Sequence, residues 1–327
     1  MQAEDAQGNV PYEGAEDADV RALLGGPSLA LHDAAAEGDL DEVKRLLGEE
    51  ALPIEGRDPG ERTPLLCAAE EGQAVVVMAL LEAGADHTAT DTEGYTALHH
   101  AAAARSVDSV QALLAAGADA NAITDMAPRP GGSAFGPPPH ATPLHFAVGL
   151  GDAATVAALL ARGANPNAAD GDGATPLHAA MESEDEDMVC TLLAGGADAS
   201  LASKDLGQPL AWSVLKNLPK ALAAVLERGA DVNAASADAG GMAPLHLAAR
   251  AGRVDAAKAL LAAGANANAT TPAGATPLHL AAVNKRAPIV ALLLAAGADA
   301  AKLNGSGETP LQVAKSDDVR ELLQKAV

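Results

Sequence analysis

Residues 275–300 read ATPLHLAAVNKRAPIVALLLAAGADA. Thr276 is suited to cap a helix by accepting a backbone N–H, and Pro277 suits the first helical turn, where no intrahelical donor is missed. A short helix therefore starts at Thr276-Pro277. A second run with apolar residues at three- and four-residue spacing follows. It ends at Gly297, where a helix commonly stops in a left-handed residue. The connecting segments between such stretches, for example NATTPAGA from Asn268, are polar and turn-rich. The stretch is a helix, a turn, a helix and then a loop.

The phrase recurs along the chain as RTPLLCAA from Arg62, YTALHHAA from Tyr95, TPLHFAV from Thr142, ATPLHAA from Ala174, MAPLHLAA from Met242 and ETPLQVA from Glu308. Counted at the Thr position, units start at about residues 63, 96, 142, 175, 208, 243, 276 and 309, with a looser copy, LALHDAAAEGDLDEVKRLL, from Leu29. The step is 33 residues except for one of 35 and one of 46. Fixed self-similarity at this period is the mark of a solenoid, because one unit cannot bury its apolar face alone and must stack on the next. Alanine at successive helix positions lets neighbouring helices approach closely.

T-P-L-H-x-A at a 33-residue step resembles the ankyrin repeat family. The expected fold is an all-α ankyrin-repeat solenoid of about nine helix-turn-helix units with projecting loops. It forms one repeat domain over residues 28–327, preceded by an acidic flexible tail over 1–27. The long step places a loop insertion at 123–141, which holds MAPRPGGSAFGPPPH (126–140). Insertions in repeats map to loops, often on the binding face. The prolines lower the loop's freedom and Phe135 gives it an apolar tip, so it reads as a partner-contacting finger, with a tolerated spacer as the alternative.

Charge and composition remove several function classes. The net charge is −23, and it is unevenly spread: residues 1–200 carry 34 acids and 8 bases, residues 201–327 carry 10 acids and 13 bases. Nucleic-acid binding needs a concentrated basic face, so it is disfavoured, and the natural complement of the acidic part is a basic protein segment. With 2 Phe, 2 Tyr and 1 Trp there is no aromatic platform on which bases would stack. Cys67 and Cys190 lie in separate units, outside any C-x-x-C pair, and read as reduced thiols. No signal peptide and no apolar stretch long enough to span a bilayer is found, so no membrane association is expected. A cytoplasmic or nuclear monomer is the default.

Six of the nine histidines, His32, His99, His145, His178, His246 and His279, fall at one position of the repeat. A residue that recurs once per unit is a scaffold device that hydrogen-bonds within and between units. No nucleophile, carboxylate cluster, phosphate loop or metal-ligand spacing accompanies it, so no enzyme activity and no cofactor are expected. The reading is a non-catalytic interaction scaffold or adaptor; a regulatory subunit or inhibitor of an enzyme is the alternative.

The resemblance implies that partners are met by loop tips, by the residue before the Thr and by the end of the first helix, all on one concave side. Here the candidates are Glu70, Glu71, Tyr95, Phe135, Asp172, Glu182, Trp212, Lys216 and Arg250, with Tyr95 and Trp212 favoured because aromatic anchors are enriched in hot spots. The resemblance also implies candidate asparagine hydroxylation at Asn121, Asn167, Asn233 and Asn268. Two departures from the pattern remain. The run ESEDED (182–187) is either a solvated turn or a contact for a basic partner. The unit containing KDLGQPLAWSVLKNLPK lacks the Thr and the His, having Gln208 and Ala211 instead, and is either a weak link or a drifted copy.

Overall fold

The computed structural model describes residues 29–48, 52–124, 139–203, 207–236 and 240–326. The expected tail over 1–27 and most of the insertion, including Phe135, lie outside the described residues. The chain divides into two compact blocks, Met1–Gly171 and Asp172–Val327. Among the described residues there are eighteen helices and no sheet, only isolated bridges such as Thr90 with Thr96.

In the N-terminal block the helices are α1 (Ala30–Glu37), α2 (Leu40–Gly48), α3 (Pro64–Glu70), α4 (Ala74–Glu82), α5 (Ala97–Ala103), α6 (Val107–Ala115), α7 (Pro143–Gly149) and α8 (Ala153–Ala161). In the C-terminal block they are α9 (Pro176–Glu182), α10 (Glu186–Ala194), α11 (Pro209–Lys216), α12 (Pro219–Glu227), α13 (Pro244–Ala251), α14 (Val254–Ala262), α15 (Pro277–Val283), α16 (Ala287–Ala295), α17 (Pro310–Val313) and α18 (Asp317–Gln324). Within each block, first helices pack on first helices (α1, α3, α5, α7) and second on second (α2, α4, α6, α8), so each block is a stacked all-α repeat. Leucines such as Leu98, Leu113, Leu144 and Leu159 are fully buried between the layers, and each contributes roughly 1.5–3 kcal/mol by leaving water. Ala101, Ala102, Ala281 and Ala282 are buried beside them and keep the first helices close.

The helix starts follow the sequence. α3, α7, α9, α15 and α17 each open on the Pro after a Thr whose backbone is extended. What ties one helix pair to the next is the recurring histidine. The Thr96 backbone N–H donates to His99 Nδ1 at 3.2 Å and the Thr96 hydroxyl at 2.9 Å, and the same pairing joins Thr142 to His145, Thr175 to His178 and Thr276 to His279. The other ring nitrogen, Nε2, donates across to the following pair, always to the carbonyl just before its Thr-position residue: His99 to Ala141 (3.2 Å), His178 to Gly207 (3.2 Å), His246 to Ala275 (3.1 Å) and His279 to Glu308 (3.0 Å). That carbonyl also accepts a loop N–H, from Thr124, Ser203, Thr271 and Asn304 respectively, so both lone pairs are filled. The histidine is thus a clamp, held by one pair and gripping the next.

The insertion closes on a paired base. Thr124 N–H donates to the Ala141 carbonyl and Ala141 N–H donates to Thr124 Oγ1, each at 3.1 Å. Beneath it α5 packs on α7.

Candidate functional site

The loop tips are built by a residue the repeat phrase does not advertise. Asp58, Asp91 and Asn304 each stand five positions before a Thr and fold the tip by accepting two backbone N–H bonds on one side-chain oxygen: Gly60 and Arg62 on Asp58, Glu93 and Tyr95 on Asp91, Ser306 and Glu308 on Asn304. This is the Asx-turn chemistry that suits short polar side chains to tight turns. The second Asp58 oxygen takes the Arg62 guanidinium at 2.8 Å, and Arg62 reaches on to Glu70 at 2.7 Å. The second Asp91 oxygen takes His100 Nε2 at 2.9 Å. Burial opposes ionisation of Asp91, but hydrogen bonds from His100, Tyr95 and Glu93 outweigh it and hold the carboxyl below its ordinary range.

In the N-terminal block, Glu70 and Glu71 at the end of α3 are exposed carboxylates, as the sequence suggests. Tyr95 is corrected: it is 9% exposed, its ring packed edge-on against His99, His100 and Phe146 at centroid distances of 5.6–6.0 Å. It supports the α5 surface and is not an open anchor. Neither thiol is set up as a nucleophile, since burial pushes Cys67 up to about 12 and raises Cys190.

In the C-terminal block, Asp172, Glu182, Lys216 and Arg250 are exposed. Trp212 is half-buried; its indole N–H donates to the Met181 carbonyl at 3.1 Å and Lys216 sits 5.4 Å from the ring centroid. The two departures seen in the sequence meet here. Ala211 replaces the clamp histidine, so α11 has no imidazole to grip the next pair. The acids of ESEDED add contacts on the other side, tying α11 and α12 to the preceding pair, where the His178 clamp is also present: Glu184 pairs with Lys216 (2.9 Å), Asp187 with Lys220 (3.1 Å), and Glu186 accepts the Ala221 N–H in the first turn of α12 (2.9 Å). Asp185 caps α10 through the Met188 N–H (3.0 Å). The run therefore makes contacts within the stack and still leaves Glu182 exposed.

The two ion pairs are exposed and add little. The Glu186 contact is a charge-assisted bond at a helix N-terminus, so Glu186→Ala is expected to lower stability by about 1 kcal/mol. Asp187→Asn is expected to change it much less. Urea unfolding followed by circular dichroism reads both, and equal effects would show that the cap is worth no more than an ion pair.

Asparagines on the loops knit neighbouring turns together. Asn121 accepts the Asn165 N–H (2.6 Å) and donates to the Gly163 carbonyl (3.1 Å); Asn268 accepts the Asp299 N–H (2.7 Å) and donates to the Gly297 carbonyl (3.1 Å); Asn233 accepts the Asn266 N–H (2.8 Å). Asn167 is half-buried, its N–H donating to Asn165. The side chains of Asn121, Asn233 and Asn268 therefore hold neighbouring loops together.

Among the described residues no cluster of His, Cys, Asp or Glu is placed to hold a metal ion, and no helix is long and apolar enough to cross a membrane. The Thr and His that repeat hold the stack, while Glu70, Glu71, Asp172, Glu182 and Arg250, which vary from unit to unit, are exposed. A family model described as ankyrin repeats (3 copies) matches residues 31–124, 134–205 and 245–327, more than half of the chain. A search of the curated proteins returned no match.

Proposed function

Since this chain belongs to the ankyrin repeat family, whose repeats are protein–protein interaction modules, we propose that it is a non-catalytic scaffold or adaptor that holds a partner protein through a basic segment. The observation that carries this is a division of labour. The Thr and His of the repeat phrase are spent on capping and clamping, while Glu70, Glu71, Asp172 and Glu182 lie exposed on loop tips and first-helix ends. The excess of acids in residues 1–200 sets the sign of the partner. Nine units, starting at about residues 29, 63, 96, 142, 175, 208, 243, 276 and 309, make up the scaffold. In the C-terminal block Trp212, Lys216 and Arg250 supply the less acidic contacts.

Capture from a native lysate followed by cross-linking mass spectrometry tests the reading. Capture is expected to weaken steeply between about 50 and 500 mM salt, where screening shortens from above 10 Å to a few ångströms. Cross-links are expected at Glu70, Glu71, Glu182 and Lys216. Salt-independent capture with cross-links confined to the second helices α2, α4 and α6 would sink the proposal. The same comparison on a chain lacking residues 126–138 tests the finger around Phe135, which loses its role if the same partners bind.

A further inference from the structure

In the N-terminal block a cavity of about 240 Å³ is lined by side chains of α1, of α3 and of the loop tip between them, among them His32, Asp33, Asp58, Arg62, Glu70 and Glu71. Four carboxylates face a single guanidinium, and that guanidinium is already committed to Asp58 and Glu70. Asp58 is saturated, one oxygen by two backbone N–H groups and the other by Arg62. Asp33 and Glu71 remain as exposed carboxylates at the cavity. The cavity therefore carries net negative charge that its own arginine does not cancel.

The second observation is His32, which is 5% exposed. Its Nε2 lies 2.9 Å from the Gly56 carbonyl and 3.1 Å from that of Arg62. Carbonyls only accept, so the proton is on Nε2, and burial lowers the His32 pKa and keeps the ring neutral. Nδ1 is then a lone-pair acceptor. In the clamps of His99, His145, His178 and His279 that lone pair meets the N–H and hydroxyl of a Thr, and in that of His246 the N–H of Ala243, but the residue before α1 is Leu29, with no hydroxyl and a different backbone angle (φ −95°, ψ 4°). Among the described residues His32 Nδ1 is buried with no hydrogen-bond partner, a condition native structures seldom leave unanswered.

An unmet acceptor beside uncancelled carboxylates calls for a ligand that is cationic and rich in N–H donors. We propose that this cavity receives the guanidinium of an arginine on the partner protein, its N–H groups meeting His32 Nδ1 and the Asp33 and Glu71 carboxylates. A guanidinium offers five donors in a rigid fork and no acceptor, which suits acceptors spread around one cavity better than an ammonium point charge does. The proposal rests on the scaffold reading above and gives its basic segment one seat.

The test is titration of end-blocked tetra-arginine into the full chain, followed by calorimetry and by the ¹⁵N resonance of His32 Nδ1. Saturable binding is expected, with the Nδ1 resonance moving as its lone pair gains a donor. Asp33→Asn combined with Glu71→Gln is expected to weaken binding about tenfold, and Glu182→Gln, outside the cavity, less than about twofold. Binding without an Nδ1 response, or weakened equally by Glu182→Gln, would overturn the cavity and leave the scaffold reading standing. An equal response to end-blocked tetra-lysine would overturn the guanidinium. Absence of tetra-arginine binding overturns the cavity, and the scaffold reading falls with it only if salt-sensitive capture from the lysate is absent too.

Discussion

Replacing His99 by alanine is expected to cost about 4 kcal/mol at neutral pH, because it opens a void where a fully buried ring sat and strips three hydrogen bonds at once. Thr96 N–H loses its acceptor, and the Ala141 carbonyl loses the donor that ties α5 to the next pair. Glutamine is expected to recover about half of the loss, and the chain itself indicates why. At the equivalent position Gln312 accepts the Thr309 N–H at 2.7 Å, so an amide reproduces the capping half of the clamp.

The two variants also separate packing from protonation. Burial holds His99 down to about 4 in the folded chain, against 6.5 for an unburied ring. Below 6.5 the unfolded chain binds a proton that the folded one refuses, so the clamp's contribution is complete above about pH 6.5 and is lost as pH falls toward 4. At about 1.36 kcal/mol per unit the full loss is about 3 kcal/mol. Wild type is thus expected to lead His99→Gln by about 2 kcal/mol at pH 7.5 and to have lost that lead near pH 4.5. Urea midpoints across this range give the answer; a constant gap would show that His99 does not titrate out of the fold. Burial also lowers His32, His246 and His279, so the whole acid branch bends the same way.

Gly274→Ala is the second change expected to be severe. Gly274 has φ +74°, and a Cβ there would stand 2.6 Å from the Gly305 nitrogen, on a neighbouring loop whose N–H donates to the Ala273 carbonyl at 2.9 Å. Left-handed strain of about 1–2 kcal/mol and a backbone clash of about 1–3 kcal/mol sum to about 3 kcal/mol. Gly307 occupies the same place two residues before its Thr, at φ +77°, with nothing within 4 Å of a Cβ. Gly307→Ala therefore carries the strain alone, about 1 kcal/mol. Thermal unfolding of the two variants isolates the loop contact by difference, and equal losses would place the whole effect in backbone strain.

Much of this was readable beforehand, and the boundary is physical. Thr-Pro pairs fixed the starts of α3, α7, α9, α15 and α17 because capping and proline geometry are local. The histidines disclosed a structural role through recurrence alone. A search for what repeats is blind, however, to contacts that a single pair of neighbouring units makes. The pairing of Glu184 and Asp187 with Lys216 and Lys220 spans about one period, and none of these residues belongs to the phrase. Asp58, Asp91 and Asn304 did carry a signal, a constant offset of five from the Thr, but their task is visible only once the tip folds around them. Tyr95 misled because its rarity suggested a contact, whereas its neighbours in space, His99, His100 and Phe146, bring the ring inward.

The paired base at Thr124 and Ala141 has a consequence for how the chain can be taken apart. Those two residues bind each other, His99 grips Ala141 and Asn121 grips Asn165, so the flanks are joined by contacts that do not need a continuous backbone. Two polypeptides divided between residues 125 and 138 carry complementary surfaces and have the means to reassociate when expressed separately. The same interval is a cassette position, where sequence can be exchanged or lengthened at a cost that grows only slowly with length. Heritable change there is uncoupled from the stability of the flanking repeats.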